Sequence, residues 1–230
     1  MSDSDYIIDS NFSRVEALFG LPTNCPPEIA QRQRLIDVFY WGFDNKKHKG
    51  QILIDQTLVN DIIELFEFFL DEDFPICSAI VLGASQFRCK NGGWSDNLSM
   101  EANNTSAFNF REVGGNMNGG LSLHALGLAL DINPSTNAAY GYGNAGNLEV
   151  YPRSKRVYPS DLPRDSDPGA LWKNCPVVNF LQQKGWIWGG DWTLEDKGVV
   201  DMHHFEKVPE GYPAKWIDLL APLIKKNWDH

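Results

Sequence analysis

The sequence predicts an α+β fold, a small antiparallel sheet with flanking helices, and three observations carry that prediction. Two runs rich in β-branched and aromatic residues, 35–43 and 50–54, are separated by Asp44-Asn45-Lys46-Lys47, as in a hairpin. The stretch that follows places Leu58, Ile62, Leu65, Phe66 and Phe69 along one face of a helix, the spacing of core packing. Further strand and helix patterns are mixed and unevenly spaced, with no internal repeat, which suits an α+β layer arrangement.

Taken in chain order, residues 1–24 are mixed and turn-rich and run into Pro22, Cys25, Pro26 and Pro27, where consecutive prolines forbid regular pairing. They are expected as an N-terminal arm, with 25–230 as a single domain. His48 sits beside the hairpin turn and is expected to face solvent. Asp55 reads as the N-cap of the following helix, which extends to about residue 70. Residues 75–83 carry Ile76, Ala79, Ile80, Val81 and Leu82 between breakers and read as a buried strand.

From 91 to 120 the composition changes to seven Asn and six Gly in thirty residues, interrupted by one strand-like run at 107–113. Such segments place side chains rather than bury them. A second loop-rich stretch spans 134–167, again of a length that is usually functional or mobile. Helical spacing returns at 171–184, stopped by Gly185, and at 213–227 through Trp216, Leu219, Leu220 and Ile224.

The 230 residues suffice for one domain, and 43% apolar with 22% charged residues is the composition of a folded globular chain. A formal charge of −10 argues against a nucleic-acid partner, whose binding is dominated by phosphate contacts. No stretch is apolar enough for a membrane span, and the acidic start Met1-Ser2-Asp3-Ser4-Asp5 is unlike a secretory signal. A cytoplasmic location, or release by a route without a signal peptide, is the resulting expectation. Cys25, Cys77, Cys89 and Cys175 form no Cys-x-x-Cys pair and are expected as buried free thiols, although their even number permits disulfides.

Chemistry concentrates in two clusters. In Ser122-Leu123-His124-Ala125-Leu126-Gly127-Leu128-Ala129-Leu130-Asp131, an imidazole and a carboxylate stand seven positions apart among small and apolar residues. That is how a protein presents two groups that are hard to bury to one cation. The second cluster is Gly185-Trp186-Ile187-Trp188-Gly189-Gly190-Asp191-Trp192, followed by Asp201-Met202-His203-His204-Phe205-Glu206. Two His and one Asp on zinc leave the fourth tetrahedral position open, the geometry of a catalytic site. A carboxylate three residues before the last His is placed to serve as a general base.

The patterns Ser-x-His-x-x-Gly-x-Ala-x-Asp, Gly-Trp-x-Trp-Gly-Gly-Asp-Trp and Asp-x-x-His-Phe-Glu, with Phe110-Arg111 upstream, resemble the zinc D-alanyl-D-alanine carboxypeptidase and L-alanyl-D-glutamate endopeptidase family. These peptidases cut the stem peptides of peptidoglycan. The resemblance covers 107–206. With each named type at about one position in fifteen, the five fixed positions of the first pattern arise by chance in roughly one window in a million. The resemblance implies a hedgehog-like or D-Ala-D-Ala-peptidase-like fold around one zinc ion held by His124, Asp131 and His204. It implies that Asp201 takes the proton of the attacking water and returns it to the leaving amine. Arg111 would stabilise the oxyanion or hold a substrate carboxylate, Ser122 would contact substrate or support the ligands from behind, and His203, next to the ligand, would touch substrate.

Each residue also has a plainer reading. His124 alone would be a hydrogen-bonded core histidine, and Asp131 before Ile132-Asn133-Pro134 a turn residue. Strand alternation would put Asp201 and His203 on one face and His204 on the other; the family spacing selects His204 as ligand. His203 would otherwise be a surface histidine, and His230 has no expected role. Arg88 competes with Arg111 for the anion-binding role. Trp186, Trp188 and Trp192 are read as packing, and Glu206 as equally structural or functional.

The expected function is a zinc peptidase of the D-Ala-D-Ala carboxypeptidase type acting on peptidoglycan or muropeptides. An L-alanyl-D-glutamate endopeptidase is the alternative bond specificity. A non-catalytic zinc-binding module, as in the related signalling domain of hedgehog proteins, is the alternative class. The charge of −10 offers no long-range attraction to an anionic wall, which favours a soluble muropeptide or a lysin released by another route.

Overall fold

The computed structural model describes residues 6–113, 120–142, 146–153 and 155–221. Among them, short helices and small sheets alternate irregularly, the α+β class expected.

The chain opens with β1 (Ile7–Ile8), α1 (Arg14–Ala17) and α2 (Pro27–Arg32). Helix α1 starts at Ser13 because the Ser13 hydroxyl accepts from the Glu16 amide while Glu16 accepts from the Ser13 amide, a capping box. Pro27 opens α2 where a missing N–H does no harm. β2 (Gln33–Trp41) and β3 (Lys47–Asp55) form the expected hairpin, in register from Gln33↔Asp55 to Trp41↔Lys47. β1 pairs in parallel with the other edge of β3, so the N-terminal segment supplies a strand of the first sheet.

Two expectations are corrected here. His48 does lie beside the turn, as the second residue of β3, but it is buried rather than solvent-facing, at 9% exposure. Its Nδ1 is 2.9 Å from Asp9 Oδ2 and its Nε2 is 3.0 Å from Asp44 Oδ1. Asp55 does not cap the next helix, because its buried carboxylate is engaged by Arg32 at 2.7 and 2.9 Å and by the amide and hydroxyl of Thr57. Helix α3 (Val59–Asp71) starts after Leu58 instead and buries the predicted stripe of Ile62, Leu65, Phe66 and Phe69.

Residues 75–83 are largely buried but are not a strand. Their backbone bonds go to successive different neighbours: Ile76 N to Trp41 O, Gln51 N to Ala79 O, and a single bridge from Ser78 to Asn104. Helix α4 (Asp96–Glu101), capped by Ser95, then occupies part of the Asn-rich stretch. The run 107–113 likewise forms no ladder, since Phe108 N bonds Leu53 O, Asn109 N bonds His124 O and Glu112 makes an isolated bridge to Leu121.

β4 (Ala129–Asp131) is followed by β5 (Ala139–Tyr142) and β6 (Leu148–Tyr151), a hairpin inside the stretch expected as loop. Tyr142, Leu148 and Tyr151 are exposed, so this hairpin has a wet face and no apolar period. Helix α5 (Pro176–Gln183) begins only at Pro176 and yields to Gly185 at φ +82°. β7 (Ile187–Trp188), α6 (Leu194–Lys197), β8 (Val199–Val200), β9 (His204–Glu206) and α7 (Ala214–Ile217) complete the described elements. Of the helix expected at 213–227, α7 is its first turn; Ile224 and everything beyond 221, including His230, lie outside the described residues. The two smaller sheets are ordered β4-β9-β7 and β6-β5-β8. The four cysteines are free, with Cys25 and Cys175 buried, Cys77 half-buried and Cys89 exposed, so burial holds for two of the four.

Burial opposes a charge on His48, yet the hydrogen bonds and charges of Asp9 and Asp44 outweigh it and raise its pKa. A group with a raised folded pKa stabilises fully below its unfolded value, about 6.5, and loses that contribution as pH rises through the folded value. Urea unfolding midpoints should therefore drop as pH climbs above that point, and the drop should be shallower in Asp9→Asn; an identical pH dependence in the variant would refute the assignment.

Candidate metal site

Strands β4 and β9 build the site. They are antiparallel with Asp131 directly opposite His204, so these side chains stand together on one face. His124 arrives from the 3-10 turn Leu123–Leu126, capped by the Ser122 hydroxyl and ended by Gly127 at φ +68°. A Cβ on Gly127 would lie 2.1 Å from Gln33 Oε1 and 2.7 Å from Asp55 N, so both the positive φ and the close approach require glycine. The motif's glycine is thus the point where His124's turn docks on the first sheet.

The three predicted ligands converge. His124 Nε2 is 3.1 Å from His204 Nδ1 and 3.2 Å from Asp131 Oδ1, and His204 Nδ1 is 3.1 Å from Asp131 Oδ1. A tetrahedral cation with bonds of about 2.0–2.1 Å has ligand edges of roughly 3.3 Å. The near-equilateral triangle fits such an ion with only slight expansion, and all three residues are buried.

The outward nitrogens are also fixed. His124 Nδ1 lies 2.6 Å from the Ala107 carbonyl, which can only accept, so Nδ1 carries the proton and the Nε2 lone pair points inward. His204 Nε2 lies 3.2 Å from Glu206 Oε2, which does the same for His204. Such outer partners orient metal-binding imidazoles. Burial pushes Asp131 up, but the charge of His124 and His203 and the bonds from His124 and His204 hold it well below the usual carboxylate range. Burial pulls His204 down, yet Asp131 and Glu206 raise it to about 10. A cation entering the triangle therefore competes with a proton on His204.

The triangle forms part of the wall of a cleft of about 670 Å³ that Arg111, Ser122, Trp192, Asp201 and His203 also line. Asp201 is carried by the turn into β9; its Oδ1 is buried without a directed hydrogen bond, although His203 Nε2 lies 3.1 Å away. A Cβ on Gly189 would meet the Asp201 carbonyl at 2.6 Å, so the first glycine of the motif's Gly-Gly pair lets this turn approach. Arg111 is paired with Asp96 at 2.9 Å, and its buried Nε has no hydrogen-bond partner among the described residues. Ser122 accepts from the His124 amide at 3.3 Å and is 5% exposed. His203 is 3% exposed, which removes the surface-histidine reading.

Arg88 bonds the Gly83 carbonyl and covers the Phe19 ring, and it is not among the residues lining the cleft. Trp186 and Trp188 are packing residues whose indoles donate to Asp61 and to the Met202 carbonyl. Trp192 differs: its ring packs against His204 at 5.3 Å within the cleft wall. Sequence reasoning missed Asp96 and the Ala107 carbonyl. The first is fifteen residues from Arg111 with no pattern linking them, and the second is a backbone group with no side-chain signature.

Metal uptake should release protons and tighten as pH rises toward the folded pKa of His204, read by calorimetry in buffers of different ionisation enthalpy. Glu206→Gln should weaken metal affinity by about 10- to 100-fold with the fold intact; unaltered affinity would mean that Glu206 does not orient His204.

Residues 115–207 match the model of the D-alanyl-D-alanine carboxypeptidase family. The matched segment contains His124, Asp131, Asp201 and His204, with Arg111 just upstream. A search of curated proteins finds no match, and neither does a search of solved structures. The match over this segment supports the resemblance of the motifs to the D-alanyl-D-alanine carboxypeptidase family of metallopeptidases.

Proposed function

We propose that this chain is a zinc-dependent peptidase that hydrolyses peptidoglycan stem peptides as a D-Ala-D-Ala carboxypeptidase, on a fold of the D-Ala-D-Ala-peptidase and hedgehog kind. The observation that carries the reading is the triangle of His124, Asp131 and His204 in the wall of a cleft that also holds Asp201 and Arg111. The donor set of two imidazoles and one carboxylate suits zinc with one position left open. When bound there, zinc supplies Lewis acidity toward a carbonyl and makes water a nucleophile near neutral pH.

The chain's own residues divide the remaining work. Asp201, with an oxygen lacking a directed partner, takes a proton from the attacking water and returns it to the leaving amine. Arg111 holds the anionic oxygen or a terminal carboxylate, its guanidinium steadied by Asp96. Ser122 contacts the substrate along the wall, which His203 also lines. Asp201 also weighs against a non-catalytic module, which has little need of a carboxylate beside the metal ligands.

Mass spectrometry of defined stem peptides and intact sacculi incubated with metal-loaded protein tests the reading. Loss of a terminal D-Ala is expected, silenced by chelation and reduced by about 10²- to 10⁴-fold in Asp201→Ala. An internal cut would make the enzyme an endopeptidase. No cleavage with zinc firmly bound would assign the site to binding alone.

A further inference from the structure

His203 stands beside a metal ligand, yet its ring belongs to a different network. Nδ1 lies 2.8 Å from the Asn137 carbonyl, which can only accept, so Nδ1 is a donor there. Asn137 is fully buried and itself pinned: its amide donates to Ile132 O at 3.1 Å and Gly169 O at 3.0 Å, and its Oδ1 accepts from Leu171 N at 2.8 Å. One edge of the imidazole is therefore fixed to the rigid interior. The other edge presents Nε2 to Asp201 Oδ1 at 3.1 Å, off the direction of a hydrogen bond.

Asp201 needs such a neighbour. Its backbone is held, with its amide donating to Gly189 O at 2.9 Å and its carbonyl accepting from His204 N at 3.3 Å, but its side chain retains its own torsions. A carboxylate next to a divalent cation is drawn toward it by Coulomb attraction, and closing on the ion would occupy the position that substrate requires. Poorly aligned contacts of catalytic groups commonly tighten when the reacting complex forms.

We infer that His203 is a positioning residue, which through Nε2 holds the Asp201 carboxylate in place for proton transfer and away from the ion. The inference rests on the proposed hydrolysis and assigns His203 a role other than substrate contact. Ring anchoring by Asn137 and the approach to Asp201 come from opposite edges of one imidazole, so two substitutions separate them. In His203→Gln the amide nitrogen reaches toward the Nε2 position. In His203→Asn it takes the Nδ1 position and keeps only the bond to Asn137.

Kinetics on the cleaved stem peptide and crystal structures of the metal-loaded full chain should be obtained for both variants. His203→Gln should keep kcat within about threefold of the parent. His203→Asn should lose about 10- to 100-fold in kcat with KM and metal content nearly unchanged. In the crystals the Asp201 carboxylate should stay in place in His203→Gln and swing toward the ligand triangle in His203→Asn. A raised KM at constant kcat would make His203 a substrate contact, and full activity in His203→Asn would reduce it to an anchor for Asn137; either overturns the inference. Should the parent cleave no peptide, the hydrolytic reading fails by itself, and an Asp201 position identical in all three crystals would still refute the positioning role.

Discussion

The register between β4 and β9 is the constraint on which the site depends. Asp131 faces His204 and Ala129 faces Glu206 on one side of the ladder, while Leu130 faces Phe205 on the other. Alternation puts His204 and its orienting partner Glu206 on the same face, two residues apart, with fully buried Phe205 between them. Phe205 also stands opposite Trp188 in β7 and stacks on its ring at a centroid distance of 6.4 Å. A slip by one residue would turn Phe205 toward the cleft and His204 toward the core. Losing burial of such a side chain costs about 1.5–3 kcal/mol, and burying an unpaired imidazole adds to it. Apolar packing on one face thus holds metal ligands in place on the other.

The part of the chain outside the family match backs the site. The Arg32–Asp55 pair closes the end of the β2–β3 hairpin next to Gly127, where Asp55 N donates to Gly127 O at 3.0 Å and Gln33 donates to Leu126 O at 3.1 Å. Two residues back along β3, Leu53 O accepts from Phe108 N, next to the Ala107 carbonyl that orients His124. Both the turn carrying His124 and the segment fixing its tautomer are therefore bonded to one sheet. A ligand supported by regular structure is held within the small tolerance that coordination demands.

How much of this was legible in the sequence depended on where each signal resides. The hairpin and the α3 stripe were legible because periodicity belongs to a single element, and the convergence of His124, Asp131 and His204 because residue type and spacing encode it. Runs 75–83 and 107–113 were misread as strands: apolar composition reports burial, whereas a strand requires one continuous partner, which these lack. The hairpin of β5 and β6 was missed for the opposite reason, since its wet face erased the alternation. His48 and Asp55 were misplaced because their partners, Asp9 and Arg32, are brought to them only by tertiary pairing. The choice between His203 and His204 could not follow from alternation, because residues 201–203 form a turn and the strand starts at His204.

That turn ties the electrostatics together. Asp131, Asp201 and Glu206 share one cleft with His124, His203 and His204, in a chain that is already at −10. Three carboxylates at such spacing repel one another, and each is accommodated by an imidazole: Asp131 by His124 and His204, Glu206 by His204, Asp201 by His203. A cation in the triangle takes over the neutralisation of Asp131 and leaves both imidazole ligands uncharged, so its binding free energy is also folding free energy for these strands. At a hundredfold excess over its dissociation constant it would add about 2.7 kcal/mol. Only the Asp201–His203 pair lies outside that exchange, since neither residue is a member of the ligand triangle. The fold therefore separates the carboxylate inside the His124–Asp131–His204 triangle from the Asp201 carboxylate outside it, and it does so with two adjacent histidines facing different partners.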